Sequence, residues 1–194
     1  MRIFKAIALT IIALNLTACG VRSIPKAKLN VEEKAAEITN QYKRRSDLVP
    51  ALVKVVKGYA THEKEVLTRV TEARAKVSQM NLDVSQLDPQ KLKEFQAAQG
   101  QLSQALGRLL VSVERYPDLK ANQNFRDLQA QLEGTENRIA IARQRYIESI
   151  KLFNEQILVF PTNLTNKVFF HYEKMPQWEV DAAEQVEKMP EVDL

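Results

Sequence analysis

Apolar residues recur along this chain at helical spacing with few interruptions. Phe125, Leu132, Ile139, Tyr146, Phe153 and Phe160 fall seven residues apart, and no proline stands between Pro117 and Pro161. The spacing predicts one amphipathic helix over residues 122–160, about 60 Å long at the standard rise. Its second column, Leu128, Thr135, Ala142 and Ser149, is mostly small and would let a neighbouring helix approach closely. An earlier stripe runs Val31, Ala35, Ile38, Tyr42, Arg45, Val49, Leu52, Val56, Tyr59, Glu63, Val66, Val70, Ala73, Val77 and Met80, alternating steps of three and four. Arg45 and Glu63 are its polar breaks. Pro50 lies inside the span, where it removes a backbone bond, and predicts a kink near residues 46–50. The alternative is a true break there, with Asp47 capping a new helix. Between these stripes, Leu92, Phe95, Leu102, Leu106, Leu109, Val113 and Tyr116 define a helix from about Pro89 to Tyr116, with Gln99 as its polar interruption.

A polar cluster from Met80 to Pro89 and the corner from Tyr116 to Leu119 read as reversals. The expected fold is all-α: an elongated antiparallel up-down-up bundle of three long helices, or four if helix one breaks near Pro50 or the C-terminal segment packs as a helix. Helices of about 75, 42 and 60 Å cannot cover one another fully. Two stretches, near Leu29 to Leu52 and Ile147 to Phe160, should project with an apolar stripe that a partner, a second copy or the tail must cover. Val31, Ile38, Tyr42, Arg45 and Val49 are therefore candidate interaction-surface residues.

The first residues read as an address. Arg2 and Lys5 precede an apolar run from Ala6 to Leu14, too short to span a bilayer, and small residues lead to a cysteine. Leu16, Thr17, Ala18 and Cys19 resemble the lipobox of bacterial lipoproteins, which implies acylation at Cys19; the alternative is an uncleaved anchor with an incidental cysteine. Cys19 is the only cysteine, so acylation would leave no free thiol, and no disulfide is possible within the chain. Gly20 resembles the pattern that allows export to the outer membrane, on its periplasmic side in a Gram-negative cell. The organisation is then residues 1–18 as signal peptide, 19–28 as a tether carrying Arg22, Lys26 and Lys28 beside the lipid, 29–170 as the bundle and 171–194 as an acidic tail. Loss of Arg2 and Lys5 takes the net charge from +4 to +2, which argues against nucleic acid as a partner. Residues 171–194 hold seven acidic and two basic residues, or −5. This tail can lie along the bundle with Trp178 as its apolar anchor, or stay partly unfolded.

Chemistry is thinly represented. His62 and Glu63 begin like a zinc-protease helix, but Val66 stands where the second histidine is needed. With His171 the only other histidine, no metal site and no cofactor are expected, and no glycine loop or nucleophile elbow is present. The seam charges are more informative. Glu63 with Arg108, and Arg74 with Glu136, are candidate structural ion pairs if helices one and two pair through their turn and one and three run parallel; otherwise their tips reach solvent.

Two signatures add a family. Arg44, Arg45, Asp47, Leu48, Val49, Pro50, Leu52 and Val53, followed by Tyr59, Ala60, His62 and Glu63, resemble the first signature of the LemA family. Glu114, Tyr116, Pro117, Leu119, Lys120, Ala121, Asn122 and Phe125, with Leu128, Gln129, Leu132, Thr135, Glu136, Asn137, Ile139, Ala142 and Arg143, resemble the second, and Asn154, Phe160 and Pro161 its closing segment. The resemblance implies a bacterial, membrane-attached helical bundle. This chain departs from the family in its lipoprotein-like start, where an uncleaved membrane helix is usual, and in Ile147, where asparagine is typical. The expected role is a non-enzymatic interaction or assembly scaffold in the cell envelope, held to the membrane through Cys19 and joined to a protein partner or a second copy; the alternative is a ligand-binding or sensory module.

Overall fold

The computed structural model describes the backbone of residues 2–60, 62–80 and 88–178, and side chains from Gly20 onward. Its elements are α1 (Arg2–Tyr59), α2 (Lys64–Ser78), α3 (Pro89–Val113), α4 (Pro117–Ala121), α5 (Gln123–Leu158), α6 (Thr162–Thr165) and a π-helical turn, Asn166–Phe170. The fold is all-α, as the periodicity requires. α1 and α5 form the long antiparallel pair, with Ser23 bonded to Gln156 near one end and Asn122 to Tyr59 at the other.

Among the described residues the bundle has four long helices in up-down-up-down order, and the break that makes the fourth is not at Pro50. α1 runs through Pro25 and Pro50 without interruption and ends at Tyr59. Pro50 cannot donate to the carbonyl of Ser46 four residues back. That carbonyl instead accepts from Arg74 Nε of α2, at 3.2 Å. The chain reverses between Ala60 and Glu63, and α2 returns beside α1, with the Ser46 and Ser78 hydroxyls 3.3 Å apart. The steps Tyr59, Glu63, Val66 keep the stripe in phase across this hairpin, so periodicity reads straight through it. The extra reversal also sets α5 antiparallel to α1 where a parallel arrangement was expected.

Local signals fix the other ends. Asp88 caps α3 by accepting from Gln90 N–H, with Pro89 at the first helical position. Asn122 caps α5 through Phe125 N–H and also bonds Tyr59 at the end of α1. The expected turn at residues 81–87 lies outside the described residues.

Helix one does not begin near Leu29. Residues 20–28 continue α1, with Gly20 buried and Ile24 fully so; they are no tether. An ideal Cβ on Gly20 would sit 2.5 Å from Thr165 Oγ1, so the helix passes α6 at a distance only glycine allows.

The two stretches expected to project cover each other. Val31, Ile38, Tyr42 and Val49 are at most 3% exposed, and Ile150, Phe153 and Ile157 at most 4%. Beyond the reach of α2 and most of α3, the third side of this pair is closed by Phe170, Tyr172, Met175 and Trp178. Two asparagines hold that returning segment. Asn154 donates to the Met175 carbonyl at 3.0 Å and accepts from its N–H at 2.9 Å. Asn166 does the same with Tyr172, at 2.9 and 3.0 Å. His171 adopts the left-handed conformation between them, with φ 56°. Trp178 then packs edge-on against Phe95 and Tyr146, each large ring it buries contributing roughly 1.5–3 kcal/mol.

Candidate functional site

Two apolar clusters make up the core. One gathers Val49, Leu52, Leu102 and Leu132 toward the hairpin; the other gathers Ile38, Tyr42, Phe95 and Ile139 toward the opposite end. Between them lies a polar layer centred on Arg45, whose side chain is 2% exposed. Nη1 donates to Ser103 Oγ at 2.7 Å and to Glu136 Oε1 at 2.8 Å. Nη2 donates to the side-chain oxygen of Gln99 at 2.5 Å and to its main-chain carbonyl at 3.2 Å. The guanidinium also lies 5.2 Å from the centre of the Tyr42 ring. A buried cation persists only when paired and hydrogen-bonded, and these contacts engage α1, α3 and α5 together.

Arg143 and Tyr42 extend the polar layer. Arg143 Nη2 approaches the Tyr42 hydroxyl at 3.5 Å and its guanidinium lies over the Trp178 ring at 5.6 Å. Burial pushes the Tyr42 phenol up, against the opposing pull of Arg143. Tyr146, fully buried beside them, is pushed up to about 12 by desolvation, and its hydroxyl has no partner among the described residues.

The seam charges find other partners than those expected. Glu63 pairs with Arg115 at 2.7 Å and accepts from the Tyr116 hydroxyl at 3.1 Å, not from Arg108. Hydrogen bonding to that carboxylate and the loss of solvent raise the Tyr116 phenol, desolvation being the larger cause. Arg108 lies in an open groove between α2 and α3 with Glu65 and Glu72. Arg74 serves the Ser46 carbonyl, and Glu136 goes to Arg45. The hairpin at residues 60–63 turns α2 back beside α1 and so separates Arg74 from Glu136, whereas Glu63 is offset along the α2–α3 pair, whose register also joins Lys76 to Gln101. The stripe pattern groups Arg45 with Val31, Ile38, Tyr42 and Val49 as an interaction surface; all five are interior, because α5 and the returning tail take the place of an outside partner. The usable sequence signal was that Arg45 and Gln99 interrupt two separate stripes: two polar interruptions in one core must face each other.

Cys19 sits one residue before the Gly20 and Thr165 contact, so its backbone leaves the bundle at the end closed by α6 and the π-helical turn. Among the described residues no helix is long and apolar enough to cross a membrane, and no group of three or more His, Cys, Asp or Glu side chains could hold a metal. A cleft of about 390 Å³ opens between α1, α2 and α3; Thr39, Tyr42, Ser46, Asp47, Arg74 and Gln99 are among its lining residues.

The class is an all-helical bundle, in this chain with a buried arginine layer and an asparagine-clasped tail. Residues 34–194 match the model of the LemA family, and the chain belongs to that family. It is similar to Protein LemA of Metamycoplasma hominis, 29% identical over 149 residues, covering 73% of this chain and 64% of that protein. It is also similar to the Magnetosome protein MamQ 2 of Paramagnetospirillum magneticum, 28% over 137 residues, covering 62% of this chain and 50% of that one. The Magnetosome protein MamQ of Magnetospirillum gryphiswaldense is 26% identical over 149 residues, covering 68% of this chain and 55% of its own length. The chain thus spans between half and two thirds of the length of these relatives. The family and these relatives support a membrane-associated bacterial protein of the LemA type.

Proposed function

We propose that this is a lipid-anchored, non-enzymatic protein of the bacterial cell envelope whose bundle serves as an interaction or assembly scaffold. Acylated Cys19 holds it, on the periplasmic side of the outer membrane in a Gram-negative host, and a protein partner or second copy binds along the rod. The observation that carries this reading is the seating of Gly20 on Thr165, with no room for a Cβ. An acyl anchor one residue upstream is then fixed to the end of a continuous helix of about 60 Å, from residue 19 to residue 59. Such a joint transmits the orientation of the membrane to the rod, which a flexible tether would not. The apolar stripe that first motivated a scaffold is covered by the chain itself, so a partner must use exposed positions such as Tyr59, Ile141 and Leu152. Mass spectrometry of the mature N-terminus should find acyl chains on Cys19. Photocrosslinkers at those three exposed positions, in intact cells, should capture the same partner or second copy repeatedly; a free, unmodified N-terminus or no reproducible protein adduct rejects the reading.

The cleft of about 390 Å³ favours a second reading, a ligand-binding bundle, because it offers a buried phenol, hydroxyls and Arg74 together. Native mass spectrometry of the protein taken from its own membranes decides this: a bound small molecule lost on Arg74→Met supports it, and an empty chain rejects it.

A further inference from the structure

We propose that the end of the bundle formed by residues 20–31 and 158–170 is a lipid-contacting cap, seated in the headgroup region of the bilayer. The distribution of exposed apolar side chains comes first. Of the twelve large ones among the described residues, Leu158, Val159, Phe160, Leu164, Val168 and Phe169 lie on this cap, with Val21 and Leu29 of α1 making eight. Phe160, Val168 and Phe169 are 65, 66 and 60% exposed, values out of keeping with a core whose other aromatic stripe residues are buried. Concentrated at one end within thirteen residues, such exposure marks a binding surface.

Charge selects the occupant. The two segments contain Arg22, Lys26, Lys28 and Lys167 and no carboxylate, although acidic residues are frequent elsewhere in the chain. Exposed aliphatic and aromatic side chains interleaved with lysine and arginine fit an anionic lipid surface, where the rings enter the acyl boundary and the cations meet phosphates. Direction agrees. α1 carries the backbone of the apolar run Ala6 to Leu14 away from this same end, and Gly20 packs against Thr165 of the cap. Whatever holds the N-terminus at a membrane brings the cap to it. The cap is also braced from behind: Asn166 clasps Tyr172, and Lys28 Nζ lies 4.7 Å from the centre of the Tyr172 ring. The returning segment therefore covers the inner side of the π-helical turn and leaves Val168 and Phe169 outward.

The inference rests on the anchor reading only for how the protein arrives. Its test uses the full chain made in its own host and reconstituted into vesicles of phosphatidylethanolamine and phosphatidylglycerol. Nitroxide labels are placed through Leu164→Cys, Val168→Cys and Phe169→Cys, with Val111→Cys as the control toward the opposite end. The expected result is that the three cap labels lose accessibility to a water-soluble nickel complex and gain accessibility to oxygen, while the label at residue 111 stays open to nickel. Cap labels as open to nickel as residue 111 overturn the proposal. So do cap labels shielded by spin–spin contact between copies that persists in detergent, since a second copy then occupies the cap. Mass spectrometry at Cys19 reads the anchor separately: absence of acyl chains with cap labels in lipid rejects the anchor and keeps the cap.

Discussion

Asn154 and Met175 exchange two hydrogen bonds, side-chain amide to main chain in both directions, so a single buried residue of α5 supplies the returning segment with the pairing a neighbouring strand would give. Removing the amide leaves the half-buried Met175 N–H and carbonyl without their partner. Asn154→Ala should cost about 1–3 kcal/mol, and the loss should be local at first. Trp178 is the only tryptophan, packed 6.0 Å from the Tyr146 ring, so its emission should shift to the red in the variant before the bundle melts. Unshifted emission with native stability would show that the clasp holds nothing.

Arg74 and Pro50 should be coupled. Arg74→Met leaves the Ser46 carbonyl without a donor and should cost about 1–2 kcal/mol. In a Pro50→Ala background the helix supplies its own N–H to that carbonyl, and the same substitution should cost less than about 0.5 kcal/mol. Equal costs in the two backgrounds, measured by urea unfolding, would disconnect the two residues.

The Arg45 layer separates two apolar clusters and should act on register more than on stability. Arg45→Ala opens a cavity and strands Gln99, at about 2–5 kcal/mol. Arg45→Met fills the space but still strands Gln99, and should cost about 1–3 kcal/mol, less than Arg45→Ala. Amide exchange tells the two roles apart: protection near residues 99–103 should drop in Arg45→Met if the layer fixes how α3 sits between α1 and α5, and should match the parent if it does not.

Stability should decline at alkaline pH through Tyr146. Its phenol titrates near 10 when unfolded and is pushed up to about 12 in the fold, so the unfolded chain releases its proton first. The contribution is complete below pH 10 and is lost as pH rises from there toward 12, at roughly 1.4 kcal/mol per unit. Tyr42, raised in the same direction, adds to the slope. Tyr146→Phe removes a hydroxyl that has no partner among the described residues, so it should leave neutral stability within about 1 kcal/mol and flatten the decline. Thermal melts from pH 8 to 11.5 check both halves.

The elements that sequence made legible are those where local chemistry marks an end: Asp88 before Pro89, Asn122 before Phe125, Pro117 after Tyr116. The 3.6 period also carried the whole of α5. The hairpin at residues 60–63 was hidden because a reversal of four residues preserves heptad phase, and Pro50 drew the break to itself although an outside donor satisfies the carbonyl it frees. From that one displacement follows the exchanged partner of Glu136, while that of Glu63 follows from the register of α2 on α3. The burial of Val31 and Ile38 was illegible for another reason: their cover comes from Tyr172 to Trp178, a segment with no periodicity, held by main-chain bonds to asparagine side chains that no stripe reveals. The cap residues were visible only as a fading of pattern after Pro161.

Trp178 meets the bundle beside Tyr146, twelve residues of α5 before Leu158, or about 18 Å along the rod from its basic tip. Residues 179–194 carry six acidic side chains and one basic, and Trp178, after which they follow in sequence, stands some two screening lengths above the base. The basic foot and the point at which the acidic sequence is joined are therefore electrostatically separate: a cation at one is screened from a charge at the other.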